Sequence, residues 1–171
     1  MRAMDFSVAD QRHLEAAEGW LGLGDHIEAQ KELDAITPEL HGHPLILNLR
    51  WQVCAAGKKW KAALDIAASM TRTAPNDPQG WVHQSYALHE LKRTQEALDA
   101  LMCVVHRFPK VAIMRYNLAC YECQLGHVTE AKAWLKMAFV LAEDARQMRQ
   151  MALEDPDLGP LRKEVASMAL E

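Results

Sequence analysis

Cys120, Cys123 and His127 fall at i, i+3 and i+7, a spacing that puts two thiols and an imidazole roughly on one helix face. With a fourth donor such as His89, that set has the chemistry of a zinc site. A structural zinc site normally takes a Cys-x-x-Cys on a turn and a second matching pair elsewhere. Here both cysteines stand in the middle of a helical pattern, so no metal is expected. His41 and His43 lie in a linker and read as solvated. The acids Glu143-Asp144 and Asp155-x-Asp157 have the composition of general acid–base pairs. They stand at helix starts, however, where carboxylates meet the positive end of the helix dipole. The chain has no Gly-rich phosphate loop, no nucleophile elbow and no His-Glu-x-x-His. The expectation is therefore a chain that is not an enzyme and carries no cofactor.

Composition narrows the partners. The 171 residues are half apolar, carry a formal net charge of −4 and have few Gly and Pro, which suits a folded domain with a sizeable core. A weakly acidic chain without a Lys/Arg cluster is a poor polyphosphate binder, so nucleic acid is not an expected partner. No stretch approaches the roughly 20 apolar residues of a membrane span, and Met1–Asp10 lacks the apolar core of a signal peptide. Of Cys54, Cys103, Cys120 and Cys123, only the last two are close in sequence, and a mid-helix disulfide there would be strained. Free thiols favour a reducing, cytoplasmic location.

The elements that must position these residues follow from a repeat of 34. Ala29, Ala63, Ala97 and Ala131 are one such column. Leu33, Ala67, Leu101 and Leu135 are a second, and Ile36, Met70, Val104 and Ala138 a third. A fixed period of that length marks stacked helix-turn-helix pairs. Pro78–Val111 is the cleanest unit. Asp77 caps its first helix, Pro78 opens it, and Trp81, Ser85, Leu88 and Leu91 recur at helical spacing. Lys92, Arg93 and Thr94 then turn the chain into a second helix through Ala97, Leu101 and Val104, which Pro109 stops. Ala112–Ala145 repeats the pattern, with Gly126 as the C-cap. The four units span about 10–41, 43–77, 78–111 and 112–145, and capping helices over 146–171 close the domain, the last from Leu158 to Leu170.

The second unit is ambiguous. Strict register puts Trp51 where the other units have a small residue. A one-residue insertion near Gly57 would align Gly57 with Gly24 and Gly126, put Ile46, Leu49 and Val53 in the core and turn Trp51 outward. The insertion is the preferred reading, although it leaves Arg50 at a small-residue position.

Trp81, Ser85, Leu88, Ala97, Leu101, Val104 and Pro109, together with Tyr116-Asn117-Leu118-Ala119-Cys120-Tyr121 and Gly126, resemble the tetratricopeptide repeat (TPR) pattern. The resemblance covers about residues 10 to 145. The tail Leu153-Glu154-Asp155-Pro156-Asp157-Leu158 is similar to the ending that follows the last repeat in many bacterial members. Glu122 departs from the pattern, which has an aromatic or leucine there, and its carboxylate is expected to find Lys132 or solvent. The resemblance implies an all-α, right-handed α-solenoid (an alpha-alpha superhelix) of TPR-like helix-turn-helix repeats forming one domain.

It also implies a function, namely a non-catalytic scaffold that binds a peptide or helix of a protein partner in its concave groove. First helices line that groove. The groove residues are then Leu14, Glu18 and Leu21 in the first unit and Leu47, Trp51 and Cys54 in the second. The third supplies Val82, Tyr86 and His89, and the fourth Tyr116, Cys120 and Cys123. This apolar, aromatic surface suits a partner with apolar anchors. The opposing reading is that the chain's own terminal helix or a second copy covers it, since large apolar patches are uncommon on monomers. The family's carboxylate clamp needs Lys, Asn and Arg at groove positions. Leu47, Val82, Tyr86, Tyr116 and Cys120 stand there instead, with only Asn48 and Asn117 reminiscent of it, so that clamp is not expected. The alternatives to a peptide-binding scaffold are a chaperone for an aggregation-prone client and a self-associating subunit, for example a homodimer.

Overall fold

The computed structural model describes residues 6–168. Among them the elements are all helical: α1 (Val8–Gly22), α2 (His26–Ala35), α3 (Pro44–Ala56), α4 (Trp60–Thr73), α5 (Pro78–Glu90), α6 (Thr94–Met102), α7 (Ala112–Gln124), α8 (Val128–Leu141), α9 (Ala145–Glu154) and α10 (Arg162–Ser167). Short 3-10 turns at Pro38–Leu40, Val105–Arg107 and Pro156–Leu161 complete the set. None of these helices is long and apolar enough to cross a membrane. The chain forms two compact units, Met1–Ala87 and Leu88–Glu171, divided within α5.

The inter-helix turns settle the register. Gly24, Lys58, Lys92 and Gly126 all have positive φ, at 81°, 53°, 62° and 87°. The next amide in each turn reaches back to the preceding helix: Asp25 to Trp20 at 2.9 Å, Lys59 to Cys54 at 2.8 Å, Arg93 to Leu88 at 3.0 Å and His127 to Glu122 at 2.8 Å. This left-handed closure satisfies carbonyls that a helix end leaves bare. Its four copies are spaced by the repeat length without a break. The insertion expected near Gly57 is therefore absent. Lys58, not Gly57, holds the position of Gly24 and Gly126. Gly57 is small for another reason, because a Cβ there would meet the His26 ring at 2.9 Å.

In the first unit, α1 begins with a capping box in which Ser7 and Asp10 satisfy each other's backbone N–H. Asp10 also accepts the Thr37 N–H at 2.9 Å, tying the start of α1 to the end of α2. The hydrogen bonds from Ser7, and then that from Thr37, hold its carboxyl at a pKa of about 2. Helix α3 is buried on two faces. Ile46, Leu49 and Val53 join Ala17, Ala29, Leu33 and Ile36 of the first pair. Leu47, Trp51 and Cys54 join Ala63, Ala67, Met70 and Ala87. Strict register thus buries Trp51 in the column of Ala17, and the choice between a core Ile46–Leu49–Val53 and a core Trp51 does not arise. Where α5 meets α4, a Cβ on Gly80 would stand 3.0 Å from Met70 Cβ and 3.0 Å from the Thr71 nitrogen, so the glycine sets a close helix crossing.

In the second unit, Leu101, Met114, Leu118, Tyr121, Leu135, Leu158, Leu161 and Val165 are almost fully buried. Arg115 turns inward to donate to the carbonyls of Val105, Val111 and Phe108, closing the α6–α7 linker. Glu122 accepts from His127 at 2.7 Å rather than turning to Lys132 or solvent. The closing segment is not one helix from Leu158 to Leu170. Pro156 and Pro160 keep it in a 3-10 turn until Leu161, and α10 covers only Arg162–Ser167. Ala169 and Leu170 lie outside the described residues.

Candidate functional site

Strict register changes which residues share the first-helix face in the second pair. One repeat length after Leu14, Glu18 and Leu21 stand Asn48, Gln52 and Ala55, and one further stand Val82, Tyr86 and His89. The expectation that Leu47, Trp51 and Cys54 line a groove is thereby corrected. They are 9%, 8% and 6% exposed and face α4, because without the insertion each falls one residue short of the groove column. Asn48 and Gln52, which take their place, were recoverable by adding the repeat length to Leu14 and Glu18.

Within the first unit, the ends of α1 and α3 enclose an open hollow of 440 Å³ lined by Glu18, Leu21, Gly22, Leu45, Asn48, Leu49 and Gln52. Leu45 on its wall is 52% exposed. Leu14 instead leans on the first core cluster. Beside Asn48 lies an aromatic group. Trp51 and His83 stack at 3.7 Å with 5° between their planes. Tyr86 meets Trp51 and Trp60 edge-on at 6.1 and 5.7 Å. The His83 Nε2–H donates to Asn48 Oδ1 at 2.9 Å. Burial, opposed by Asp77, lowers the His83 pKa to about 4, so the ring is neutral near pH 7. Val82 is half-buried, and Tyr86 remains 39% exposed beside its ring contacts.

In the second unit the corresponding face is covered by the chain itself. Tyr116 donates its hydroxyl to Asp155 Oδ2 at 2.8 Å, and the Cys120 thiol points at the same oxygen from 3.6 Å. His89, 6% exposed, is held between Thr94 Oγ1 at 3.0 Å and Asp157 Oδ2 at 2.9 Å. Gln124 donates to the Asp157 carbonyl at 3.0 Å. Burial, reinforced by the neighbouring thiol and carboxylates, pushes the Tyr116 hydroxyl and the Cys120 thiol far above their usual pKa values. Cys123, also buried, is raised in the same direction. Both groups at Asp155 therefore stay protonated and donate to a carboxylate. Asp155 also caps the Asp157 amide at 2.9 Å, so the helix-start role read from sequence holds beside a second one that sequence did not show. His127 pairs with Glu122 at 2.7 Å. Among the described residues no His, Cys, Asp or Glu cluster is arranged to hold a metal ion.

No known protein family matches the sequence, and no curated protein does. Solved structures share its fold. The MamA RS-1 ArsTM double mutant superposes with a TM-score of 0.66 at 14% identity, over 87% of this chain and 80% of that one. MamA MSR-1 C2 gives 0.63 at 17% identity, over 82% and 80%. A further MamA mutant gives 0.60 at 17%, over 83% and 81%. This chain accordingly has the all-α, TPR-like helical solenoid fold.

Proposed function

We propose that the protein is a non-catalytic protein-binding module that takes a peptide on the first-helix face of its first unit. The observation that carries this reading is the open hollow between α1 and α3, with Leu21 and Leu45 as apolar wall and Glu18, Asn48 and Gln52 as polar groups. A site of that kind anchors one large apolar side chain and orients the peptide by hydrogen bonds to its backbone. Val82 and Tyr86, in the same columns one repeat on, extend the surface. Of the twelve groove residues read from sequence, seven have no part in this reading: Leu47, Trp51 and Cys54 are buried against α4, and Asp155 and Asp157 already engage the face of Tyr116, Cys120, Cys123 and His89. The partner is a protein or peptide, with no nucleic acid, membrane or cofactor.

The test is peptide selection from a displayed random library on the whole chain. Selected peptides should carry a large apolar anchor and bind with micromolar or better affinity. Leu45→Glu with Tyr86→Ala should weaken them by about tenfold or more while the circular dichroism spectrum keeps its helical form. Peptides that bind the double variant as tightly as the parent would reject this face as the site.

A further inference from the structure

A second hollow, of 730 Å³, lies in the other unit between the start of α7, the end of α8 and the exposed side of α9. Its size is within the roughly 300–1,000 Å³ of ligand-binding clefts. It is related to the first. Gln147, Gln150, Met151 and Glu154 on its wall stand three repeat lengths after Leu45, Asn48, Leu49 and Gln52. Helix α9 thus occupies the place of the first helix of a fifth pair, and it presents the columns that the first hollow uses.

The chemistry of the two differs. In the second hollow Ile113, Leu141, Met148 and Met151 supply apolar surface, and Ile113 and Met151 are 38% and 40% exposed. Glu143, Asp144 and Glu154 bring three carboxylates to the lining against the single ammonium of Lys110. Methionines adapt their shape to a guest. A carboxylate rim around an apolar floor complements a guest whose apolar face is flanked by cations, and it disfavours an acidic one. We propose that this hollow is a second docking site, selective for a basic amphipathic helix of a partner protein, with apolar anchors on Ile113, Met148 and Met151 and Lys or Arg side chains on Glu143, Asp144 and Glu154.

The experiment uses the full chain and three labelled 15-residue peptides: a Leu/Lys amphipathic helix, its Leu/Glu counterpart, and a scrambled Leu/Lys sequence without an apolar face. Fluorescence anisotropy should show the Leu/Lys helix binding at least about tenfold tighter than either control. Its addition should shift the methyl resonances of Met148 and Met151. Ile113→Glu with Met151→Glu, both at exposed positions, should cost about tenfold or more. Glu143→Lys with Glu154→Lys should reverse the preference between the Lys and Glu peptides. Glu130→Lys, an exposed acid elsewhere on α8, should change the affinity by less than about twofold. The proposal is overturned if the three peptides bind alike or not at all. It is equally overturned if the methionine methyls stay still under saturating peptide, or if Glu130→Lys weakens binding as much as the rim reversal. Should Ile113→Glu with Met151→Glu fail to fold, the methyl shifts and the rim reversal decide alone.

Discussion

At His83, one side chain carries a stability signature that can be read by pH. Its folded pKa is lowered to about 4 by burial, below the usual 6.5. The unfolded chain therefore binds a proton that the folded chain refuses at pH values between those two. Stability from this group is complete above about 6.5 and is lost as the pH falls toward 4, by at most about 1.4 kcal/mol per pH unit. Urea midpoints should fall over that window. His83→Phe, which keeps the stack on Trp51, should flatten the fall, and an unchanged slope would show that other groups produce it. The same residue holds the Asn48 amide at the edge of the hollow, since its side-chain oxygen accepts from the imidazole.

At the scale of elements, the four turns adopt one backbone shape with two kinds of residue. Glycine takes a positive φ freely, whereas lysine suffers a Cβ clash there. Lys58→Gly and Lys92→Gly should each stabilise the chain by up to about 1 kcal/mol, the gain reduced by the extra freedom of glycine when unfolded. Gly24→Ala and Gly126→Ala should each destabilise it by about 1 kcal/mol, since their φ values are 81° and 87°. Urea titrations of the four variants check the sign, and destabilisation by both lysine replacements would contradict it. Gly80→Ala acts differently. It should cost about 1–3 kcal/mol by forcing α5 off α4, where the nearest atoms include the Thr71 backbone nitrogen.

Across the molecule, the two units treat the same set of columns in opposite ways. In the first, the columns of Glu18 and Leu21 border an open hollow. In the second, the columns of Tyr116 and Cys120 are engaged by Asp155, and Leu158 and Leu161 beside it are fully buried. Thiol chemistry reports this. Cys103 is exposed, while Cys54, Cys120 and Cys123 are buried. An aromatic disulfide reagent should label Cys103 fast and the others at least about tenfold more slowly. Asp155→Ala with Asp157→Ala should accelerate Cys120 and Cys123 and leave Cys103 as it was. Four thiols reacting at one rate would contradict the cover. The same double variant takes one acceptor each from buried His89 and Tyr116 and should cost several kcal/mol, each lost acceptor about 1–3 kcal/mol.

The repeat length, the helix pairs and their small-residue columns were legible in the amino-acid sequence, because local packing of Ala29, Ala63, Ala97 and Ala131 recurs wherever two helices pair closely. Register in the second pair was left between two readings. Gly57 imitates a turn glycine, and only the backbone reveals that Lys58 takes the left-handed position while Gly57 makes room for His26. Nor did any local pattern show Asp155 and Asp157 reaching Tyr116 and His89, since those contacts join residues far apart in the chain. Periodicity states what each helix needs from its neighbour, while the chain folding back on itself decides which faces remain open.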